Sequence, residues 1–298
     1  MTGQTELLLG DNPFNRVDHL SQERSRSRQS LDKGDIADII STAIESGATG
    51  LTFSTTPKML EVLSHMKVEG FSKKIRLYPL IPDVSSYFQL VSEKGMLGAL
   101  MGKLSELNTG SKVRSILGGG WGLMARDPER ILRAYVKAEG SLVEAVLPIG
   151  AGIESVFLHE IGTDLMVSLN MTSLFETYCR IVEDGLNVAP GFVTRNFPRF
   201  INFIRGNDFG LKEYFVLTPF NSMGFQMNPN RQDCETALGD AKGANVIAMS
   251  ILAGGYLGLD DAVQYIVRLP SEVSCVVGVS TTSHARETFS TLREKLQR

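Results

Sequence analysis

The sequence predicts a (β/α)8 barrel, on three observations. Short, near-continuous apolar runs recur along the chain, as strands of a parallel sheet covered on both faces require. Amphipathic helical patterns with start and stop signals lie between those runs. The 298 residues are enough for one large barrel in a single domain, residues 1–298.

The apolar runs place strands near Glu6–Leu9, Gly50–Phe53, Ile75–Pro79, Ser155–Leu158, Val188–Val193, Tyr214–Leu217, Val246–Met249 and Cys275–Val279. After the first strand comes a charged loop, "GDNPFNRVDHLSQERSRSRQS". A helix then runs from Asp35, an N-cap residue type, to Gly47. Thr56 before Pro57 signals the next helix, since proline tolerates the first helical position. "DPERILRAYVKAEG" repeats the pattern from Asp127 and stops at Gly140. "SLFETYCRIVEDG", "NFPRFINFIRGN", a helix starting near Arg231, "LDDAVQYIVRL" and "SHARETFSTLREKL" continue the alternation. An open doubly wound sheet is the runner-up. It would place a GxGxxG turn after its first strand, and "GDNPFN" stands there instead.

Residues 83–150, between the third and fourth strands, are too long for one helix and read as a helical insertion within the barrel. Its Met96, Leu97, Leu100, Met101 and Leu104 sit at helical spacing. Core packing is the first reading of such a stripe, with a cavity lining or a homo-oligomer contact as alternatives. Gly118-Gly119-Gly120 is no P-loop, because no GK[ST] follows it.

Composition narrows the function classes. A formal net charge of −3 gives no global reason to expect nucleic acid or an anionic membrane as partner. No run of about 18 apolar residues suggests a membrane span, and "MTGQTELLLGD" lacks the basic start of a signal peptide. Cys179, Cys234 and Cys275 are isolated, so neither a zinc site nor a disulfide framework is expected, and the chain reads as cytoplasmic.

In a barrel the site is built from the loops at the carboxyl ends of the strands. The first strand delivers Asp11 and Asn12, and its loop carries Asp18, His19, Glu23, Arg24, Arg26 and Arg28. Asp11 and His19 are candidate acid/base groups, with Asn12 a candidate substrate contact. Asp11 and Asn12 before Pro13 also fit a plain Asx turn. Arg24 and Arg26 would share one face of an extended segment and suit an anionic substrate. The second strand delivers Ser54, Thr55 and Thr56. The fourth ends at His159 and Glu160, the former a third acid/base candidate. The fifth leads to Thr194, Arg195 and Asn196. The sixth leads to Thr218, Asn221 and Gln226, and the seventh to Ser250. Asn196, Asn221 and Gln226 are hydrogen bonders suited to a polyhydroxylated or carboxylate-bearing substrate. The last delivers Ser280 and Thr281, with Arg286 a turn later. Asp11, His19, Glu23 and His159 show no local ligand spacing, so no metal is assigned.

The order of these motifs resembles the aldo-keto reductase superfamily. "GLTFSTT" is similar to the family's second strand, and "ESVFLHE" to the strand ending in its catalytic histidine, which would be His159. "VAPGFVTRNF" resembles the strand followed by Ser-Asn-Phe, with Arg195-Asn196-Phe197 at that place. "VIAMSILAGG" and "CVVGVSTTSHARETF" resemble the two strands that hold the cofactor phosphates, which implies NADP at Ser280, Thr281 and Arg286. The resemblance covers Gly50 to the C-terminus outside the 83–150 insertion. The family also uses an Asp, a Tyr proton donor and a Lys that lowers the Tyr pKa. Here Ser54 stands where the Asp is expected, no Tyr occurs between Ser54 and Ile75, and "IRLYPLIP" ends without a Lys.

The first expectation is therefore an enzyme for a small anionic or polyhydroxylated carbonyl substrate, of isomerase, epimerase or lyase type. An NAD(P)-dependent oxidoreductase with an altered proton donor is the alternative. A non-catalytic ligand-binding or scaffold barrel is a third.

Overall fold

A computed structural model describes residues 5–15, 31–70, 75–81, 128–148 and 150–297. Its strands are β1 (Leu7–Gly10), β2 (Gly50–Ser54), β3 (Ile75–Ile81), β4 (Ala151–Ile153 and Ser155–Leu158), β5 (Ala189–Val193), β6 (Tyr214–Pro219), β7 (Ala244–Met249) and β8 (Ser274–Gly278). Each pairs in parallel with its neighbours in chain order, and β1 also pairs with β8. The sheet therefore closes into the eight-stranded barrel that the apolar runs predict. β4 is one strand with a bulge. Ile75 lies opposite Ala151 but Leu80 lies opposite Phe157, so β4 carries one extra residue, at Glu154.

The helices are α1 (Lys33–Ser46), α2 (Pro57–Val68), α3 (Pro128–Val146), α4 (Glu160–Ser168), α5 (Thr172–Leu186), α6 (Phe197–Gly206), α7 (Arg231–Asp240), α8 (Leu259–Val267) and α9 (Thr282–Leu296). Several boundaries differ from those read in the sequence. α1 is capped by Asp32, and Asp35 completes a reciprocal capping box as the third helical residue. α3 does not stop at Gly140 but continues to Val146. Gly140 serves packing there: a Cβ would stand 2.8 Å from Leu186 Cδ2, on the facing helix. α4 has no counterpart among the helices read from the sequence. Residues 82–127, most of the expected insertion, lie outside the described residues.

Two apolar layers surround the sheet. Inside the barrel, Leu8, Tyr78, Phe157, Val193, Phe215, Leu217, Ile247 and Val276 form one buried cluster. Tyr78 and Phe157 each meet Phe215 edge-on, at centroid distances of 5.8 and 6.4 Å. Gly191 makes room for this layer, because a Cβ there would sit 2.8 Å from Phe157 Cγ. Outside, the sheet packs on the helices. Phe175 of α5 stacks on Phe192 of β5 at 4.6 Å and meets Phe203 of α6 at 5.1 Å.

The amino end of the barrel is plugged by polar groups. Arg76 pairs with Glu6 at 2.6 Å, the Tyr78 hydroxyl donates to Glu6, and Asn245 donates to Glu213 at 2.8 Å. Burial pushes the Glu154 carboxyl above the usual carboxylate range, against the pull of Arg76. All three cysteines are buried and free, and burial raises every thiol, those of Cys234 and Cys275 to about 12. They are structural residues. No helix of the described residues is long and apolar enough to cross a membrane.

Candidate active site

Side chains alternate between the two faces of a strand, so the interior cluster fixes which exit residues face the mouth. Phe157 is interior, and His159 follows two positions later on extended backbone (φ −57°, ψ 148°). Its N–H continues the ladder to the Ile81 carbonyl at 2.8 Å. His159 therefore lies on the mouth face. It also caps α4, with Nδ1 accepting from the Ile161 N–H at 3.2 Å. A neutral imidazole with Nδ1 as acceptor carries its proton on Nε2. The cap thus fixes the tautomer and leaves the N–H on the far edge of the ring.

The exit of β5 stands beside this histidine. Asp164 of α4 accepts from Thr194 Oγ1 at 2.5 Å and from the Arg195 N–H at 3.4 Å. Burial raises the Asp164 carboxyl, and those two hydrogen bonds pull it back. Glu160 turns to the neighbouring strand exit, where its Oε2 accepts from Arg195 Nε at 2.7 Å. Asp164 and Glu160 together fix the backbone and the side chain of Arg195. No sequence pattern pairs either carboxylate with Arg195. Their partners are 31 and 35 residues away in sequence, beyond any local spacing signal.

Asp11 is buried at the exit of β1. Its Oδ2 accepts from the Ser54 N–H at 2.9 Å and from Asn15 Nδ2 at 2.6 Å. A carboxylate thus reaches Ser54, the position where the resemblance expects an aspartate, but from the neighbouring strand. It clamps two strand exits while its own carbonyl accepts the Phe14 and Asn15 N–H groups of a tight turn. Lys58, in the first turn of α2, donates to the Phe14 carbonyl at 2.9 Å and brings an ammonium over the same turn. Asn12 lies in that turn and is exposed.

Three other expected ligand contacts also hold the fold. Asn221 is fully buried. Its amide donates to the carbonyls of Phe225 and Ser250, and its oxygen accepts from the Phe225 N–H. It ties the loops after β6 and β7 together. Asn196 caps α6 through the Arg199 N–H. Thr281 caps α9 through the His284 N–H. Short polar side chains at such positions complete backbone groups that a helix end or turn leaves open. Gln226 differs. It accepts from Ser250 Oγ at 3.4 Å, and both residues are left-handed, at φ 60° and 54°. Left-handed non-glycine residues cost energy and gather where a loop is held in a set shape.

Beyond β8, Ser280 is half-buried, whereas Thr281, Thr282, Ser283 and Arg286 are exposed at the start of α9. That first turn carries no acidic residue. His19, Arg24 and Arg26, with the rest of the 16–30 loop, lie outside the described residues. No group of three or more metal-binding side chains occurs among the described residues.

No family model matches this sequence. No curated protein matches it either. Solved structures do. Two structures from Pseudomonas aeruginosa, described as candidate aldo-keto reductases, superpose with TM-scores of 0.60 and 0.58 at 16% and 14% identity. Each match covers 98% of this chain and 92% or 91% of the other. An aldo/keto reductase structure from Brucella melitensis gives a TM-score of 0.51 at 10% identity, over 95% of this chain and 86% of its own. At such identities the likeness is one of fold: the chain has the aldo-keto reductase-like barrel.

Proposed function

We propose that the chain is an NAD(P)-dependent oxidoreductase for a small carbonyl substrate, with His159 as hydrogen-bond and proton donor to the carbonyl oxygen. One observation carries the reading: His159 lies on the mouth face and its ring is held there by the Nδ1 cap on α4, a bond that places the proton of the neutral imidazole on Nε2. The tyrosine that lines the barrel interior cannot take that part. The Tyr78 hydroxyl points to the plugged end and donates to Glu6, and burial pushes it far above its ordinary value.

The residues after β8 fit a phosphate-bearing cofactor. The first turn of α9 carries hydroxyl residues and no carboxylate, and Arg286 follows in the second turn, beside Glu287. Helix N-termini with that composition attract phosphate through backbone N–H groups and the helix dipole. When bound, a nicotinamide supplies the hydride. The chain does the rest: the exits of β4 and β5 position the carbonyl, and His159 holds a proton at Nε2. That proton moves to the carbonyl oxygen as negative charge gathers there. Solvent then restores it.

The comparisons favour this reading over a cofactor-free isomerase, which would need a base. Asp11, the carboxylate in view for that role, has Oδ2 taken by two donors. The test is consumption of NADPH, followed by absorbance, with a panel of small aldehydes, ketones and 2-oxo acids. At least one should oxidise NADPH in step with formation of the alcohol. A protein that binds NADPH but turns over no member of a broad panel would point to a sensor or scaffold instead.

A further inference from the structure

Arg195 is the feature of the mouth that the proposed chemistry leaves without a task. Val193 belongs to the interior cluster, and Arg195 follows two positions later, past Thr194, whose N–H still bonds to the Leu217 carbonyl at 3.1 Å. The β4–β5 register places Leu158 opposite Phe192, so Val193 is level with His159 and Arg195 stands two residues above it. With strands about 4.8 Å apart and a rise of about 3.3 Å per residue, the two Cα atoms are roughly 8 Å apart. The side chain leans toward the start of α4, which His159 caps, because Glu160 holds it by Nε at 2.7 Å.

That hold determines what the guanidinium offers. Nε is engaged, while neither Nη atom has a hydrogen-bond or ion-pair partner among the described residues. The Nη edge presents two parallel donors, which match a carboxylate in a forked arrangement. The side chain is 34% exposed, so a ligand entering the mouth can reach it. Glu160 sets the charge of the preferred ligand. The Arg195–Glu160 pair is close to neutral, and a dianion would meet the Glu160 carboxylate with little net cation to offset it. A monoanion with a planar carboxylate suits the pair better than a phosphate.

From this geometry we infer that Arg195 is the substrate-anchoring residue of the mouth and that the substrate is a carbonyl compound bearing a single carboxylate, of the 2-oxo acid class. The carboxylate lies on the Nη edge and the neighbouring carbonyl then falls next to His159. The inference rests on the reading of the mouth as a carbonyl site.

The test is calorimetric titration of the full chain with oxamate, with its neutral isostere oxamide and with inorganic phosphate, each with and without NADP. Oxamate should bind the wild type and should bind more tightly than either of the others. Arg195→Gln should weaken oxamate roughly 10- to 100-fold, as loss of hydrogen bonds to a charged group does, and leave oxamide unchanged. Arg195→Lys keeps the charge but not the fork and should fall between. Thermal melts of both variants report folding, and the oxamate-to-oxamide ratio is insensitive to a merely structural role. An unchanged ratio in both variants, no oxamate binding by the wild type, or a preference for phosphate would each overturn the inference. Arg195-dependent oxamate binding without any NADPH binding would uphold it and sink the oxidoreductase reading alone.

Discussion

His159→Ala should lower kcat for NADPH-dependent carbonyl reduction by roughly 10²- to 10⁴-fold, the usual contribution of a positioned acid or base. It should leave NADPH affinity unchanged, because the residues expected to hold the phosphates lie after β8. The substitution also removes the cap of α4, since Nδ1 no longer accepts from Ile161. That loss should cost about 0.5–2 kcal/mol and appear as a small fall in Tm. His159→Asn separates the two roles. Asparagine is a strong N-cap, so the variant should melt close to the wild type, yet its amide cannot deliver a proton. A stable, NADPH-binding and inactive His159→Asn protein is the expected result. Near wild-type kcat in that variant would move the donor elsewhere.

Phe157→Ala is expected to have the largest effect on stability. Phe157 is fully buried inside the barrel, between Tyr78 and Phe215. Truncating a buried phenylalanine costs about 3–5 kcal/mol, part lost transfer energy and part cavity. That is a large share of the roughly 5–15 kcal/mol that keeps a domain folded. Phe157 also lies beneath the mouth, two residues before His159. Its loss should therefore lower kcat per folded molecule as well as the urea midpoint. Phe175→Ala is the matched control. Phe175 is equally buried but sits in the outer layer against Phe192 and Phe203. It should destabilise by a similar amount and leave kcat of the folded fraction intact. Equal activity losses in the two variants would show that the inner layer does not support the site.

The barrel itself was legible because a parallel sheet buried on both faces leaves short, near-continuous apolar runs, broken only by single polar residues such as Arg76 in β3 and Asn245 in β7. Helix starts were legible where the cap is a residue type with a short hydrogen-bonding side chain, as at Thr56. α4 was missed because its cap is His159, which propensity does not rank among N-caps, and because it begins immediately after the strand. Gly140 misled for a related reason: glycine marks helix ends through backbone freedom, but here it answers a close approach by Leu186.

The site was legible as a set of strand exits and not as roles. His159 could be singled out by position alone. Asn196, Asn221 and Thr281 look like ligand contacts in a sequence, and the structure shows that each has a cap or loop tie to make as well. Arg195 gains its meaning from Glu160 and Asp164 on the preceding helix, a relation that no local pattern carries.

Titration with NADPH, following nicotinamide fluorescence, tests the account most directly, because carbonyl reduction at this mouth requires that cofactor. The wild type and His159→Asn should both show saturable binding at one site per chain, weakened by Arg286→Ala and by high salt. Absence of any saturable change, with a melt showing the protein folded, would contradict the account and return the mouth to cofactor-free chemistry or to ligand binding.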